Sequence, residues 1–280
     1  MVSTKNIIIP GKHQKPILTD MFYQDDEDAK PVVIFCHGYK GFKDWGAWDL
    51  MAMAFAKAGF FFAKFNFSHN GGTVEQPIDF PDLEAFGHNN YTKELDDLET
   101  VIDWVFKTPE LKRKVDTSRI NLIGHSRAGG IVTIKAEEDN RVHKVISLAG
   151  VSDFGKRSST SGDLEQWKAN GVKYILNGRT GQQMPHYYQF YEDFIANETR
   201  LTIQRAVTQL KIPYLIIHGN KDTSVLVDEA HQLHAWNPKG HLELIEGADH
   251  VFNTRHPWDN DELSEALKTT THSIIEFLNK

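Results

Sequence analysis

Cysteine is nearly absent from this chain: Cys36 is the single one among 280 residues. One cysteine excludes an intramolecular disulfide and a zinc site built from four cysteines. Because Cys36 ends an apolar run that is typical of a buried strand, we expect a reduced thiol in the interior. The sequence therefore favours the cytoplasm as the location of the protein.

Basic residues are also few relative to acidic ones. The chain has 31 Lys and Arg side chains against 38 Asp and Glu side chains, which gives a net charge of −7. A nucleic acid would have to bind against this overall negative field, and the basic residues form no pronounced cluster. We therefore expect no nucleic-acid partner.

Long apolar runs are missing as well. The first apolar block, 7–9, is followed at once by Pro10 and is too short for a secretory signal. No later run approaches the roughly 20 residues that a membrane-spanning helix needs. The sequence predicts neither a signal peptide nor a membrane span.

The remaining composition is that of an ordinary globular protein, with 40% hydrophobic and 25% charged residues. Unbroken apolar runs, typical of strands buried on both faces, alternate with stretches of helical periodicity. The predicted strands are 7–9, 17–23, 32–36, 60–67, 119–123, 144–149, 214–218 and 241–245. The predicted helices are 45–58, 89–107, 131–137, 227–236 and 263–278. This order predicts an α/β fold in one domain, 1–280, with a mostly parallel, eight-stranded, doubly wound sheet and an N-terminal β-hairpin.

The segment 155–200 interrupts this alternation. It contains a polar run, 158–162, and a group of aromatic residues between 187 and 194. These aromatic residues fit two interpretations, a helix face packed on the sheet or the wall of an apolar substrate pocket. We expect the segment to be a small lid inserted over the sheet.

A short turn joins the predicted strand 119–123 to the helix that follows it, and Ser126 lies at its centre. Such a turn forces the serine into strained backbone and exposes its hydroxyl over the end of the sheet. Gly124 and Ala128 supply the small residues that the close approach of strand and helix requires. A serine that opens a helix is also a common N-cap, so the catalytic interpretation depends on its surroundings.

A serine nucleophile needs a base, and the base needs an acid that orients it. Asp222 follows the predicted strand 214–218, and His250 follows the next one. The carboxyl ends of parallel strands meet at one edge of a sheet, so these residues and Ser126 are expected to come together. Asp153, after the strand 144–149, is an alternative acid.

Four short motifs, each after a strand, carry a resemblance to a known family. They are His37-Gly38-Tyr39-Lys40-Gly41, Gly124-His125-Ser126-Arg127-Ala128-Gly129, His218-Gly219-Asn220-Lys221-Asp222 and Gly247-Ala248-Asp249-His250. In this order they resemble the oxyanion loop, nucleophile elbow, acid motif and histidine motif of the α/β-hydrolase superfamily. The chain is most similar to its dienelactone-hydrolase-like and cinnamoyl-esterase-like serine esterases.

The resemblance implies a role for each matched residue. Ser126 would be the nucleophile, His250 the general base and Asp222 the acid that orients it. The backbone N–H groups of Tyr39 and Arg127 would form the oxyanion hole, with no part for their side chains. No cofactor and no metal is implied.

Other histidines are weaker candidates. We expect His37 to be a structural hydrogen-bonding residue, whereas His69 and His88 flank a loop that could face the substrate. His231 and His234 are spaced to share a helix face, but the sequence shows no third ligand for a metal.

These observations favour a cytoplasmic serine hydrolase that cleaves a small aryl or short-chain acyl ester through an acyl-enzyme intermediate. A peptidase or amidase and an acyltransferase would use the same residues. A binding module that retains the fold without activity is the alternative of another class. The sequence leaves a monomer and a homodimer both open.

Overall fold

The computed structural model of the protein describes residues 1–159 and 163–280. Its strands are β1 (Val2–Pro10), β2 (Pro16–Tyr23), β3 (Lys30–Cys36), β4 (Phe61–Asn66), β5 (Val115–His125), β6 (Val142–Leu148), β7 (Val172–Leu176), β8 (Gln183–Tyr187), β9 (Tyr214–Gly219) and β10 (His241–Ile245). Its helices are α1 (Trp48–Lys57), α2 (Leu83–Gly87), α3 (Tyr91–Lys107), α4 (Arg127–Glu138), α5 (Phe154–Ser159), α6 (Leu164–Asn170), α7 (Gln189–Ala196), α8 (Glu198–Leu201), α9 (Ile203–Gln209), α10 (Val227–Trp236) and α11 (Glu265–Asn279).

Eight of the strands form one sheet in the order β1-β2-β4-β3-β5-β6-β9-β10. β1 and β2 form an antiparallel hairpin, and β2 is antiparallel to β4. From β4 to β10 all neighbouring pairs are parallel. The predicted eight-stranded, mostly parallel sheet with its N-terminal hairpin is confirmed.

Helices cover both faces of the sheet, which explains why its central strands are unbroken apolar runs. In β3, Val32 and Ile34 point into a core shared with α3 and α4. Val33 and Phe35 point into a second core shared with α1 and α11. All four of these residues are fully buried.

The parallel register brings the carboxyl ends of six strands, β4, β3, β5, β6, β9 and β10, to one end of the sheet. Cys36 at the end of β3 pairs with Gly124 of β5, and the neighbouring residue of β5, His125, pairs with Leu148 of β6. On the far side, the end of β10 pairs with Gly219 at the end of β9. The segments that follow these strands therefore meet above one end of the sheet.

Between β6 and β9 the chain leaves the sheet, as the broken alternation predicts. The segment contains a separate two-stranded antiparallel sheet of β7 and β8, which the sequence analysis did not predict. β7 exposes Tyr174 and Leu176 and buries little, so it lacks the continuous apolar run by which the other strands were recognised. The polar run 158–162 lies partly outside the described residues, since 160–162 are not among them.

Among the described residues, no helix combines the length and the apolar character needed to cross a bilayer.

Candidate active site

Ser126 lies between β5 and α4 with φ of 57° and ψ of −120°. A positive φ is uncommon for a residue other than glycine, so the strain predicted for this turn is present. Backbone hydrogen bonds hold it: the Ser126 N–H donates to the Leu148 carbonyl at 2.9 Å, and the Ser126 carbonyl accepts from Gly129 at 3.0 Å and from Val151 at 3.2 Å. The turn is therefore fixed by β6 and by the segment that follows it.

Small residues are required beside Ser126 for a steric reason. A methyl group added to Gly124 would lie 2.1 Å from the Ala128 carbonyl oxygen. Ala128, the small residue on the other side of the turn, is fully buried.

The three residues that the sequence analysis combined are brought together in the structure. His250 Nε2 lies 3.0 Å from Ser126 Oγ, and His250 Nδ1 lies 2.7 Å from Asp222 Oδ2. Both distances are those of hydrogen bonds. A proton on the serine hydroxyl is thus within reach of an imidazole that a carboxylate orients.

Asp222 is buried and accepts several hydrogen bonds. Its Oδ1 accepts from the N–H groups of Ser224 at 2.8 Å and Val225 at 2.9 Å, and its Oδ2 also lies 3.3 Å from His218 Nε2. Burial alone would raise the pKa of Asp222, but the hydrogen bonds from His218, His250 and Val225 outweigh it and hold that pKa below its usual range. The carboxylate is therefore ionised when it faces His250.

The alternative acid, Asp153, and the neighbour of His250 in sequence, Asp249, both have other partners. Asp153 is exposed, and its carboxylate accepts the N–H of Lys156 at 3.0 Å. Asp249 accepts the N–H groups of Val251 and Asn253, which places its carboxylate in the turn after β10 and not against the imidazole.

The loop after β3 packs directly against Ser126. A Cβ built on Gly38 would lie 2.8 Å from Ser126 Cβ, and the next residue, Tyr39, borders the same cavity as Ser126. Arg127 is the first residue of α4, a position whose N–H has no acceptor within the helix. The two backbone positions predicted for an oxyanion hole are therefore both beside the serine.

Comparison with known proteins agrees with this arrangement of strands, turn and loops. A sequence model of the alpha/beta hydrolase fold matches residues 31–191, more than half of the 280 residues. The chain belongs to the α/β-hydrolase fold family. No curated protein sequence matches it.

Solved structures share the α/β-hydrolase fold over the full length of the chain. Est1E from Butyrivibrio proteoclasticus superposes with a TM-score of 0.70 and 17% sequence identity, covering 99% of this chain and 98% of that one. The esterase domain of a Rhodothermus marinus protein gives 0.65 and 16%, with 99% and 98% covered. A putative dienelactone hydrolase from Klebsiella pneumoniae subsp. pneumoniae MGH 78578 gives 0.63 and 15%, with 100% and 98% covered. At these identities the likeness establishes the fold.

Two cavities of this α/β-hydrolase-fold protein meet at Ser126. The larger has a volume of about 460 Å³ and extends beneath the segment 155–200, and the smaller has about 190 Å³ and lies toward α1. Ser126, His250, Tyr39 and Lys40 border both. A molecule bound across the serine can therefore place one part on each side of it.

The inserted segment supplies much of the wall of the larger cavity. Its contributing residues are Arg157, Trp167, Lys173, Ile175, His186 and Phe190. Phe190 is the member of the aromatic group at 187–194 that lines the cavity, and it also packs in the core together with Phe194. Both interpretations of that group therefore hold for Phe190.

The Arg127 side chain differs from the expectation that it has no part in the site. It lines the larger cavity, with its Cζ 4.3 Å from the centre of the Tyr39 ring and 5.5 Å from the centres of the Tyr91 and Phe190 rings. Its Nη1 lies 3.3 Å from Glu94 Oε1, and its side chain is 15% exposed. The sequence motif could not reveal this role, because the partners come from three other segments.

Of the other histidines considered from the sequence, His37 has a structural role. His37 Nδ1 donates to the Gly38 carbonyl at 2.9 Å and its Nε2 accepts from the Phe67 N–H, as expected for a structural residue, and burial lowers its pKa to about 4. His69 and His88 are not among the residues that line either cavity. The expectation that they face the substrate finds no support in these contacts.

One cluster of carboxylates has the spacing of a metal site: ligand atoms of Asp20, Asp44 and Asp49 lie within 4.8 Å of one another. Lys64 Nζ lies 2.7 to 2.8 Å from an oxygen of each. The lysine ammonium occupies the position that a cation would take, so these residues form a buried ion-pair network.

Proposed function

We propose that the protein is a serine hydrolase that cleaves carboxylic esters through an acyl-enzyme intermediate. The observation that carries the proposal is the chain of two hydrogen bonds, Ser126 Oγ to His250 Nε2 at 3.0 Å and His250 Nδ1 to Asp222 Oδ2 at 2.7 Å. It starts at a serine whose strained backbone positions its hydroxyl where two cavities meet. Est1E, one of the similar structures, has also been solved with ferulic acid bound.

In the acylation step, Ser126 Oγ attacks the acyl carbon while its proton moves to His250 Nε2. The carbonyl electrons shift onto the oxygen, and the N–H groups of Tyr39 and Arg127 donate to the resulting oxyanion. One such donor contributes about 3 to 4 kcal/mol in comparable sites. The tetrahedral intermediate then expels the alcohol oxygen, which takes the proton from His250.

In the deacylation step, a water molecule attacks the same carbon. His250 Nε2 accepts a proton from the water, a second oxyanion forms, and the carboxylic acid leaves as the proton returns to Ser126 Oγ. Asp222 stays ionised throughout and stabilises the positive charge of the imidazolium.

We propose that residues 155–200 form a lid over this site. Support comes from its contacts with the body of the protein: His186 Nε2 accepts from the Tyr39 hydroxyl at 2.7 Å, and Asn90 at the start of α3 donates to Gln189 at 2.9 Å. Within the segment, Trp167 Nε1 donates to the His186 carbonyl at 2.7 Å. These bonds hold the wall of the larger cavity against the oxyanion loop.

A fluorophosphonate probe tests the nucleophile. We expect it to label Ser126 in the native protein but not after heat denaturation, because the reaction requires the base and the oxyanion donors in place. Ser126→Ala should abolish labelling and hydrolysis of p-nitrophenyl butyrate, whereas Ser3→Ala, at an exposed serine of β1, should change neither. Folded protein that neither reacts with the probe nor turns over esters would support a binding module instead.

A matched panel of esters and amides tests the reaction class. We expect p-nitrophenyl esters to be cleaved far faster than the corresponding p-nitroanilides. Faster cleavage of the anilides would identify an amidase or peptidase, and product esters formed with an added alcohol in preference to the free acid would identify an acyltransferase.

A further inference from the structure

The larger cavity is lined by an unusual set of charges. Four of its lining residues are basic, Lys40, Arg127, Arg157 and Lys173, and none of the described lining residues is acidic. The whole chain has more acidic than basic residues and a net charge of −7. The cavity therefore has a charge of opposite sign to the protein that surrounds it.

Each of the two arginines forms an ion pair with an acidic residue that does not line the cavity. Glu94 accepts from Arg127 Nη1, and Glu229 pairs with Arg157 Nη2. Glu229 is itself positioned, because its other oxygen accepts the Ser152 N–H at 2.7 Å. A guanidinium has five N–H donors, so each arginine keeps donors for a second acceptor on its cavity side.

The two lysines lie against aromatic rings. Lys173 Nζ is 3.4 Å from the centre of the Trp167 ring, and Lys40 Nζ is 5.1 Å from the centre of the Tyr39 ring. Burial lowers the pKa of both, that of Lys173 to about 8. Among the described residues no carboxylate forms an ion pair with Lys40. A negative group in the cavity would stabilise these partly desolvated ammonium groups.

These charges converge from separate parts of the chain. Arg127, Lys173 and Lys40 line the same cavity as His186, and burial together with their charges lowers the pKa of His186 to about 3. His186 Nδ1 donates to the Met184 carbonyl and its Nε2 accepts from the Tyr39 hydroxyl, which fits a neutral ring. His186 therefore contributes an uncharged ring to the cavity that the four basic residues also line.

We propose that the larger cavity recognises a carboxylate. The substrate is then an ester that carries, in addition to the ester group, an ionised carboxylate on the part that occupies the cavity. The inference rests on the esterase function proposed above and defines the substrate class of the same site. A carboxylate suits this lining because guanidinium groups bind its two oxygens through paired N–H donors and the lysines add point charges.

Two pairs of substrates test the proposal, because the carboxylate can belong to the acyl or to the alcohol part. The acyl pair is 4-nitrophenyl hydrogen glutarate and its methyl ester. The alcohol pair is 4-(carboxymethyl)phenyl butyrate and its methyl ester. Hydrolysis of this pair is measured by pH-stat titration. We expect kcat/KM at pH 7 and low salt to be at least about 10-fold higher for the charged member of one pair, and the ratio to fall as NaCl is added.

Substitution of the lysines that line the cavity tests whether they cause this preference for the charged ester. Lys40→Met and Lys173→Met should each lower the ratio of charged to neutral kcat/KM several-fold, mainly through KM for the charged ester. Lys168→Met removes the same charge from an exposed position of α6 in the same lid and should leave the ratio as in the unmodified protein.

The two proposals fail in different ways. Equal kcat/KM within both pairs, with fluorophosphonate labelling intact, would overturn the substrate class alone. A preference that survives both lining variants would also overturn it. Absence of labelling and of turnover with all four esters would overturn the esterase function and the substrate class with it.

Discussion

At the scale of single residues, the hydrogen bonds of Asp222 support it over Asp153 as the proposed acid of this site. Both of its oxygens are engaged, one by the backbone N–H groups of Ser224 and Val225 and the other by His250. The meeting of Asp222, His250 and Ser126 could be predicted because each follows a strand within a short motif. Lys173 and His186 could not, because they lie in a segment without such a motif and reach the site only through the tertiary fold.

Asp222→Asn is expected to lower kcat/KM for a neutral ester by about three to four orders of magnitude, the size seen in comparable triads. The amide keeps one oxygen for the backbone N–H groups but does not stabilise a positive imidazole. Steady-state kinetics with p-nitrophenyl butyrate measures the change, with circular dichroism to verify folding.

Asp153→Asn serves as the matched control, since this exposed carboxylate bonds only the start of α5 among the contacts described. Its kcat/KM should stay within about 2-fold of that of the unmodified protein. A large loss in Asp153→Asn together with a small one in Asp222→Asn would reassign the acid.

At the scale of secondary structure, the junction of β5 and α4 is determined by local sequence. The small residues on both sides of Ser126 allow the strand and the helix to approach closely, and this requirement is visible without any tertiary information. The hairpin of β7 and β8 is the opposite case. Its strands are short and partly exposed, so their sequence has no periodicity that separates them from a loop.

Gly124→Ala tests the junction, because its new methyl group would meet the Ala128 carbonyl group and cannot be relieved by a rotamer change. We expect a loss of about 1 to 3 kcal/mol in the free energy of unfolding, or more, together with reduced labelling of Ser126 as the turn shifts. Urea denaturation and the fluorophosphonate reaction measure the two effects.

Gly178→Ala provides the comparison, because an added methyl group there has no neighbour within 4 Å. Its stability and labelling should match those of the unmodified protein. Equal behaviour of the two variants would show that strand and helix do not need this close approach.

At the scale of the whole molecule, burial around the site gives the protein a dependence of stability on pH. His37, His125 and His186 are buried, and burial lowers their pKa values to about 4, 3 and 3 from 6.5. Between about pH 6.5 and 4 the unfolded chain binds protons at these positions that the folded protein does not. Stability from these groups is therefore present above pH 6.5 and is lost as the pH falls.

Asp97 acts in the opposite direction, because burial raises its pKa to about 7 from 3.8. At pH 5 each of the three histidines lowers the free energy of unfolding by about 2 kcal/mol, and the one aspartate opposes this by a similar amount. Burial also lowers the pKa of His69, to about 4, and raises that of Glu94, which adds one group to each side. The histidines still outnumber the carboxyl groups, so we expect a net loss of a few kcal/mol between pH 7.5 and pH 5.

Urea midpoints at the two pH values measure this loss. Asp97→Asn should enlarge it, because the substitution removes the opposing group while its oxygen can still accept the Ser68 N–H. A midpoint that is unchanged or higher at pH 5 in the unmodified protein would contradict the assignment of neutral, buried histidines.

The central strands were predictable because a strand covered by helices on both faces is apolar throughout. The basic cavity was not, since its four cations come from the loop after β3, from α4 and from two places in the inserted segment. No window of sequence contains enough of them to stand out against a net charge of −7. Charge at a site assembled from distant segments is a property of the tertiary structure.

The meeting of the two cavities at Ser126 has a consequence for product release and for the entry of water. In the proposed ester hydrolysis, cavities of about 460 and 190 Å³ both border Ser126, so one can hold the acyl group while the alcohol leaves through the other. The water for deacylation can then enter through the cavity that the alcohol has left, and neither fragment has to pass the other.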